Sequence, residues 1–198
     1  MFLVLYKRLP NLLTIVKING KIVYILFLLI LNSMIKAVVF DADKTLWDHH
    51  NISEFEEPLR LIDNNTVEDS KGRTLHLFSD VRETLKELKN KGLIVGLATW
   101  NIEEKTKKIL DILDLTQYFD IIISLQYPYK FLMIGYIIIE SYKRGISLKP
   151  NEILFLDDRR WNFGNIWLYL GDVKCLEVGK DITSYKDIFK IINGIDSE

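Results

Sequence analysis

The sequence predicts an α/β domain of the doubly wound kind, built on a mainly parallel sheet. Three observations predict it. Short apolar runs alternate with amphipathic helical patterns from Ile35 almost to the C-terminus. The apolar runs are unbroken and β-branched, as expected of parallel strands covered on both faces. The runs also lead one after another into polar groups: Asp41 and Asp43, then Thr99, then Lys130, then Asp157 and Asp158. Open α/β sheets bind ligands at the carboxyl ends of their strands, so this convergence is the main functional signal in the chain.

The first strand is expected over Ile35 to Phe40. The stretch from Asp48 to Leu61 is polar and aromatic and contains Pro58. In VEDSKGRTLHLF, strand-forming residues flank the turn cluster Asp69-Ser70-Lys71-Gly72, which predicts a β-hairpin. SDVRETLKELKNKG reads as a helix with Ser79 or Asp80 as its cap, Val81, Leu85 and Leu88 on one face, and Gly92 at its end. LIVGLATWN is a buried strand that stops at Thr99. IEEKTKKILDILDL is a helix, and Ile121 to Leu125 a third strand. MIGYIIIESYKRG is a helix closed by Gly145. NEILFLDD is a fourth strand, NFGNIWLYLGD a helix, and VKCLEV the last strand.

At 198 residues, the chain has the size of one ordinary domain with an appendage. It is 48% hydrophobic, enough for a sizeable core. Lys+Arg total 26 and Asp+Glu 27, so no global field points to nucleic acid or an acidic membrane surface. The one cysteine, Cys175, permits no internal disulfide and no zinc spacing, and reads as a small buried hydrophobe. A cytoplasmic setting is expected on that ground.

The apolar run from Ile22 to Leu31 is the appendage's main feature. About ten residues reach roughly 15 Å as a helix, half of a bilayer core. Three readings stand: a chain whose translation starts at Met34, an anchor or signal segment, and an extra element packed on the domain. The first is favoured, because Met34 immediately precedes the first strand.

The converging residues suggest one chemistry. Clustered carboxylates suit Mg²⁺, which keeps several waters and binds alongside phosphate. One carboxylate can then attack phosphorus. An anion attacking an anionic phosphate needs a screening cation, which Mg²⁺ and Lys130 would supply. Thr99 can donate to a phosphoryl oxygen. The aspartate two residues after the first can protonate the leaving oxygen and then activate water. Plainer readings accompany these. Thr99 or Asn101 could cap the helix that follows, Lys130 could be a solvated loop residue, and Arg159 and Arg160 could be surface ion pairs. Trp47, Trp100, Trp161 and Trp167 read as packing groups, with Trp47 and Trp100 nearest the site. His49 and His50 read as exposed loop residues.

DADKT, LATWN, YPYK and LFLDDRRWN together resemble the motifs of the haloacid dehalogenase superfamily of aspartate-nucleophile phosphatases. TLW after the first motif, the NNTVEDSKGRTLHLF hairpin and the DDRRWN ending resemble its magnesium-dependent, protein tyrosine phosphatase-like branch. The resemblance runs from about Met34 to Val178, and the first 33 residues have no counterpart in it. It implies a Rossmann-like fold with a minimal β-hairpin cap and an open site, in a catalytic domain over 34–198 that follows an extension over 1–33. It makes Asp41 the nucleophile and a metal ligand. Asp43 becomes the general acid and base, with its backbone carbonyl on the metal. Asp158 is the third protein ligand, and Asp157 its support or the partner of Lys130. Thr99 and Trp100 fall in the phosphate-binding loop and Lys130 on the phosphate, with Lys143 as the alternative lysine. The implied cofactor is Mg²⁺, and the implied substrate a phosphorylated small molecule or phosphoprotein. A phosphotransferase or mutase, or a non-catalytic interaction protein, are the alternatives.

Overall fold

The computed structural model describes residues 16–18, 21–23 and 34–193, and the chain divides into two units, 1–34 and 35–198. In the first, β1 (Val16–Ile18) pairs antiparallel with β2 (Lys21–Val23). Most of the apolar run from Ile22 to Leu31 lies outside the described residues, and so do the three readings of it. Among the described residues no helix is long and apolar enough to cross a membrane.

The second unit is built on a five-stranded parallel sheet. Its strands are β3 (Ala37–Phe40), β7 (Ile94–Thr99), β8 (Ile121–Ser124), β9 (Ile153–Asp157) and β10 (Lys174–Glu177). The order across the sheet is β10-β9-β3-β7-β8. Every residue of β3, β7 and β9 is buried, which accounts for their unbroken apolar sequences. Alternate side chains serve opposite faces. Val38, Phe40, Val95, Leu97, Leu154 and Leu156 pack in one core with α1 (Val81–Asn90), α2 (Glu103–Ile112) and α5 (Asp187–Ile192). Val39, Ala98, Ile153 and Phe155 pack in the other with α3 (Lys130–Lys143) and α4 (Trp161–Leu170). At Gly96 a Cβ would lie 3.0 Å from the Ile137 side chain and 3.3 Å from Val39, so glycine here lets α3 approach the sheet.

A second sheet is antiparallel, with order β4-β5-β6: β4 (Arg60–Asp63), β5 (Thr66–Glu68) and β6 (Thr74–His76). β5 and β6 are the expected hairpin. Its turn is tied by Asp69, whose carboxylate accepts the N–H groups of Lys71, Arg73 and Glu56 and the Arg73 Nε–H. β4 was not legible, because all four of its residues are exposed and it carries no core-facing alternation.

Several ends differ from expectation. Asp80 occupies the cap position of α1 with φ of +66°, but its carboxylate faces Lys186 at 3.4 Å and caps nothing. α3 begins at Lys130, three residues before the apolar run that suggested it. α5 was missed; it is only six residues long, and it buries Ile188 completely.

Candidate active site

Register brings the acidic groups together. Phe40 stands opposite Leu156, and the Asp41 N–H continues the ladder to the Leu156 carbonyl at 2.8 Å. Asp41 and Asp157 therefore emerge side by side from adjacent strands. On the other flank of β3, Phe40 stands opposite Leu97, two residues before Thr99. The chain direction across the sheet reverses about β3, which opens a crevice at these strand ends. A cavity of about 460 Å³ lies there, lined by Asp41, Asp43, Thr99, Trp100, Lys130 and Trp161 among others.

Lys130 is the first residue of α3 and is only 5% exposed. Its ammonium donates to Asp41 Oδ1 at 2.5 Å and to the Ala98 carbonyl at 2.7 Å, and lies 3.9 Å from Asp157 Oδ2. A buried lysine needs such partners, since an unpaired buried charge is strongly destabilising. Lys143, the other lysine considered, sits at the opposite end of α3, about 20 Å along the axis. It is exposed and pairs with Glu140.

Asp41, Asp157 and Asp158 each place a carboxylate oxygen within 4.8 Å of the others. Asp157 is fully buried, and both its oxygens are engaged. Oδ1 accepts the Arg159 N–H at 2.8 Å and Oδ2 accepts Asn162 Nδ2–H at 2.7 Å. Burial, and next the Asp41 carboxylate, push its pKa up to about 7. Asp158 is raised as well, by burial and then by Asp41. Its Oδ1 is buried with no hydrogen-bond partner among the described residues; Arg159 Nε stands 3.8 Å away. The Lys130 ammonium and the Arg159 guanidinium do not balance three clustered carboxylates. An orphaned buried oxygen beside two others is a donor set suited to a hard divalent cation.

Asp43 is 8% exposed and held at both oxygens. Oδ1 accepts the Trp47 indole N–H at 2.8 Å, and Oδ2 accepts Asn101 Nδ2–H at 2.9 Å. Burial, with Asp41 adding to it, raises its pKa against the opposing pull of those two donors and the Ile52 N–H. A carboxyl with a raised pKa is better able to hold and deliver a proton near neutrality.

Thr99 is almost fully buried at the end of β7, and Trp100, 45% exposed, follows it onto the rim. Neither Thr99 nor Asn101 serves as the cap of α2. The Ile102 N–H goes to Ser53 Oγ at 3.1 Å, and the Asn101 amide turns inward. Arg159 lines the cavity, whereas Arg160 points to Asp181 at 3.4 Å. His50 lines the cavity and stacks on His49. Trp47 is no simple packing group, since its N–H is spent on Asp43. Cys175 is half-buried, and burial pushes its thiol up to about 12, which suits the inert role expected of it.

Sequence reasoning thus collected Asp41, Asp43, Thr99, Trp100, Lys130, Asp157 and Asp158; the first five line the crevice, and Asp157 and Asp158 stand beside Asp41 behind it. It missed the inward roles of Asn101 and Asn162. The available signal was position: each asparagine lies just after a strand-end polar residue, within LATWN and DDRRWN.

A family model described as Acid Phosphatase matches residues 33–180. The human (Homo sapiens) protein Magnesium-dependent phosphatase 1 is 30% identical over 132 residues, covering 66% of this chain and 72% of that protein. Among solved structures, a HAD-superfamily hydrolase from Ehrlichia chaffeensis superposes with a TM-score of 0.55 at 16% identity, over 82% of this chain and 98% of that one. The N-terminal part of the Bacteroides fragilis protein BF1531, containing a phosphatase domain complexed with Mg, gives a TM-score of 0.57 at 18% identity. That match covers 83% of this chain and 41% of the other. At such identities these two structures speak for the fold alone.

Proposed function

The chain belongs to the acid phosphatase family, as a magnesium-dependent phosphatase on the haloacid dehalogenase fold, and from that premise we propose that it hydrolyses phosphomonoesters through an aspartyl-phosphate on Asp41. The observation that carries this reading is the cluster of Asp41, Asp157 and Asp158 against Lys130, with Asp158 Oδ1 left unsatisfied. Asp41, Asp158 and the Asp43 backbone carbonyl would hold Mg²⁺, with Asp157 supporting them through its bonds to Arg159 and Asn162. The ion supplies positive charge that offsets the repulsion between a carboxylate and an anionic ester.

Lys130 occupies Asp41 Oδ1 and so orients that carboxylate. An ammonium has three N–H donors, and two are used in the structure, so one remains for a phosphoryl oxygen. Thr99 and the loop through Trp100 receive the phosphoryl group. Asp41 attacks phosphorus while the ester P–O bond breaks, and Asp43 gives its proton to the departing oxygen. A water then attacks phosphorus of the aspartyl-phosphate. Asp43 takes a proton from that water, inorganic phosphate leaves, and Asp41 is restored as a carboxylate.

The crevice is open, and the second sheet is small, so a phosphotyrosine side chain and a phosphosugar are both candidate substrates. We propose the catalytic domain at 34–198, with the first 33 residues as an extension without site residues. The test is phosphate release by the purified full chain from a phosphotyrosine peptide and a panel of phosphosugars, with Mg²⁺ and with chelator. Release that requires Mg²⁺ is expected. Full activity in chelator, or none on any phosphomonoester, contradicts the proposal.

A further inference from the structure

Asn101 is 2% exposed and every polar atom of its side chain is engaged. Nδ2 donates one hydrogen to Asp43 Oδ2 and the other to Thr99 Oγ1, both at 2.9 Å. Oδ1 accepts the Ser53 hydroxyl at 2.9 Å. Ser53 Oγ has its own acceptor duty toward the Ile102 N–H at 3.1 Å, so its single proton is committed to Asn101. The Asn101 backbone carbonyl is fixed in turn by Ser124 Oγ–H at 2.9 Å. With Ser53 donating to Oδ1, a flipped amide would set two N–H donors against that proton and an oxygen against Asp43. The amide therefore has one orientation, and Ser53, Thr99 and Asp43 jointly define it.

We infer that Asn101 is a positioning residue that sets two parts of the reaction at once. It rests on the reading of Asp43 as acid and Thr99 as a hydrogen-bond donor to the phosphoryl group. Asn101 fills a lone pair of Thr99 Oγ1, so the Thr99 hydroxyl proton is left to point at a phosphoryl oxygen. On its other side Asn101 shares Asp43 with the Trp47 indole, one N–H to each carboxylate oxygen. With the Ile52 N–H as a third donor, the carboxyl plane is thereby pinned, and a proton on Asp43 must occupy a lone pair these donors leave free. Trp47 acts only on Asp43. Asn101 acts on both groups, and Ser53 acts through Asn101. Ser53 lies in the short helical turn Ile52–Glu54, which Lys105 Nζ ties to α2 through the Phe55 carbonyl at 2.6 Å. The loop after the first motif is in this way part of the machinery that aims the acid.

The experiment compares Asn101→Ala, Trp47→Phe, Ser53→Ala and Asp43→Asn, each with Mg²⁺. Two quantities are read: the ratio of kcat/KM on glycerol 2-phosphate to kcat/KM on p-nitrophenyl phosphate, and the inhibition constant of inorganic phosphate. The ratio is taken within one preparation, so a partly unfolded variant does not distort it. Poor alcohol leaving groups need the aimed acid and the phenolic ester does not, so Asn101→Ala and Trp47→Phe should each lower the ratio roughly tenfold. Phosphate inhibition should weaken for Asn101→Ala, by roughly tenfold, and change by less than about twofold for Trp47→Phe. Ser53→Ala should move both readouts the same way as Asn101→Ala, by less. An unchanged ratio and unchanged phosphate inhibition in Asn101→Ala, with the ratio lowered in Asp43→Asn, overturns the inference alone. An unchanged ratio in Asp43→Asn overturns the acid assignment itself, and the inference with it.

Discussion

Asp69 and Asp157 are both aspartates with almost no exposure, and the fold treats them oppositely. At Asp69, in the turn of the small antiparallel sheet, burial opposes the charge. The Glu56 N–H, the Arg73 side chain and the N–H groups of Arg73 and Lys71 overcome it and hold the carboxyl well below the usual range. At Asp157, at the carboxyl end of β9 inside the parallel sheet, burial and the neighbouring Asp41 win, and the pKa rises to about 7. The first site spends donors until the carboxylate is satisfied. The second collects carboxylates beyond what its lysine, the more distant Arg159 guanidinium and few N–H groups can satisfy. A satisfied buried acid holds a turn; an under-satisfied cluster in a crevice is where a cation and an anionic substrate can be bound.

That contrast can be broken at either end. Asp41→Asn removes the proposed nucleophile at nearly constant volume, and turnover should fall by about 10⁴-fold or more with the fold retained. Turnover and circular dichroism of the same sample check it. Asp69→Ala should do the reverse. It leaves three buried or half-buried N–H groups and the Arg73 guanidinium without their acceptor, and should cost about 2–4 kcal/mol in urea unfolding. Its kcat on folded protein should match the unaltered chain. A loss of activity without loss of stability would erase the distinction drawn here.

How much of this was legible beforehand follows the same divide. Strand positions and the strand-end acids could be read because β3, β7 and β9 are buried on both faces and so must be continuously apolar up to the point where the chain meets solvent. β4 could not, because an exposed strand held by its ladder to β5 leaves no hydrophobic period. Lys130 was separable from Lys143 only in three dimensions, since both belong to α3 and differ in which end they occupy. Asn101 and Asn162 looked like helix-start residues in sequence. The inward turn of Asn101 depends on Ser53 taking over the Ile102 N–H, and that of Asn162 on its bond to the Asp157 carboxylate.

Asp158→Asn should raise the Mg²⁺ concentration needed for half-maximal activity by about 10- to 100-fold if its unsatisfied oxygen holds the ion as proposed. An unchanged Mg²⁺ requirement would shift the ligand role to Asp157. The smaller effect is on melting temperature and pH. The folded-state pKa of Asp157, about 7, lies above its ordinary 3.8. Its stabilising contribution in metal-free protein is therefore complete below about pH 4 and is lost as pH rises through 7. Asp69, held below 3.8, contributes above that value and loses its contribution as pH falls. Metal-free protein should melt a few degrees lower at about pH 8 than at about pH 5.5, and Mg²⁺ should restore more of the loss at the higher pH. Calorimetry with and without Mg²⁺ reads this directly, and an equal Mg²⁺ effect at both values would contradict it.

The most direct test of the central claim is chemical trapping of the reacted carboxylate. The full chain is mixed with substrate and Mg²⁺, quenched with borohydride, digested and sequenced by mass spectrometry. An acyl phosphate is reduced where a free carboxylate is not, so homoserine should be found at position 41, only when substrate is present and not in Asp41→Asn. Reduction at Asp43 or Asp158 instead, or turnover with no reduced aspartate at any position, would contradict Asp41 as the nucleophile.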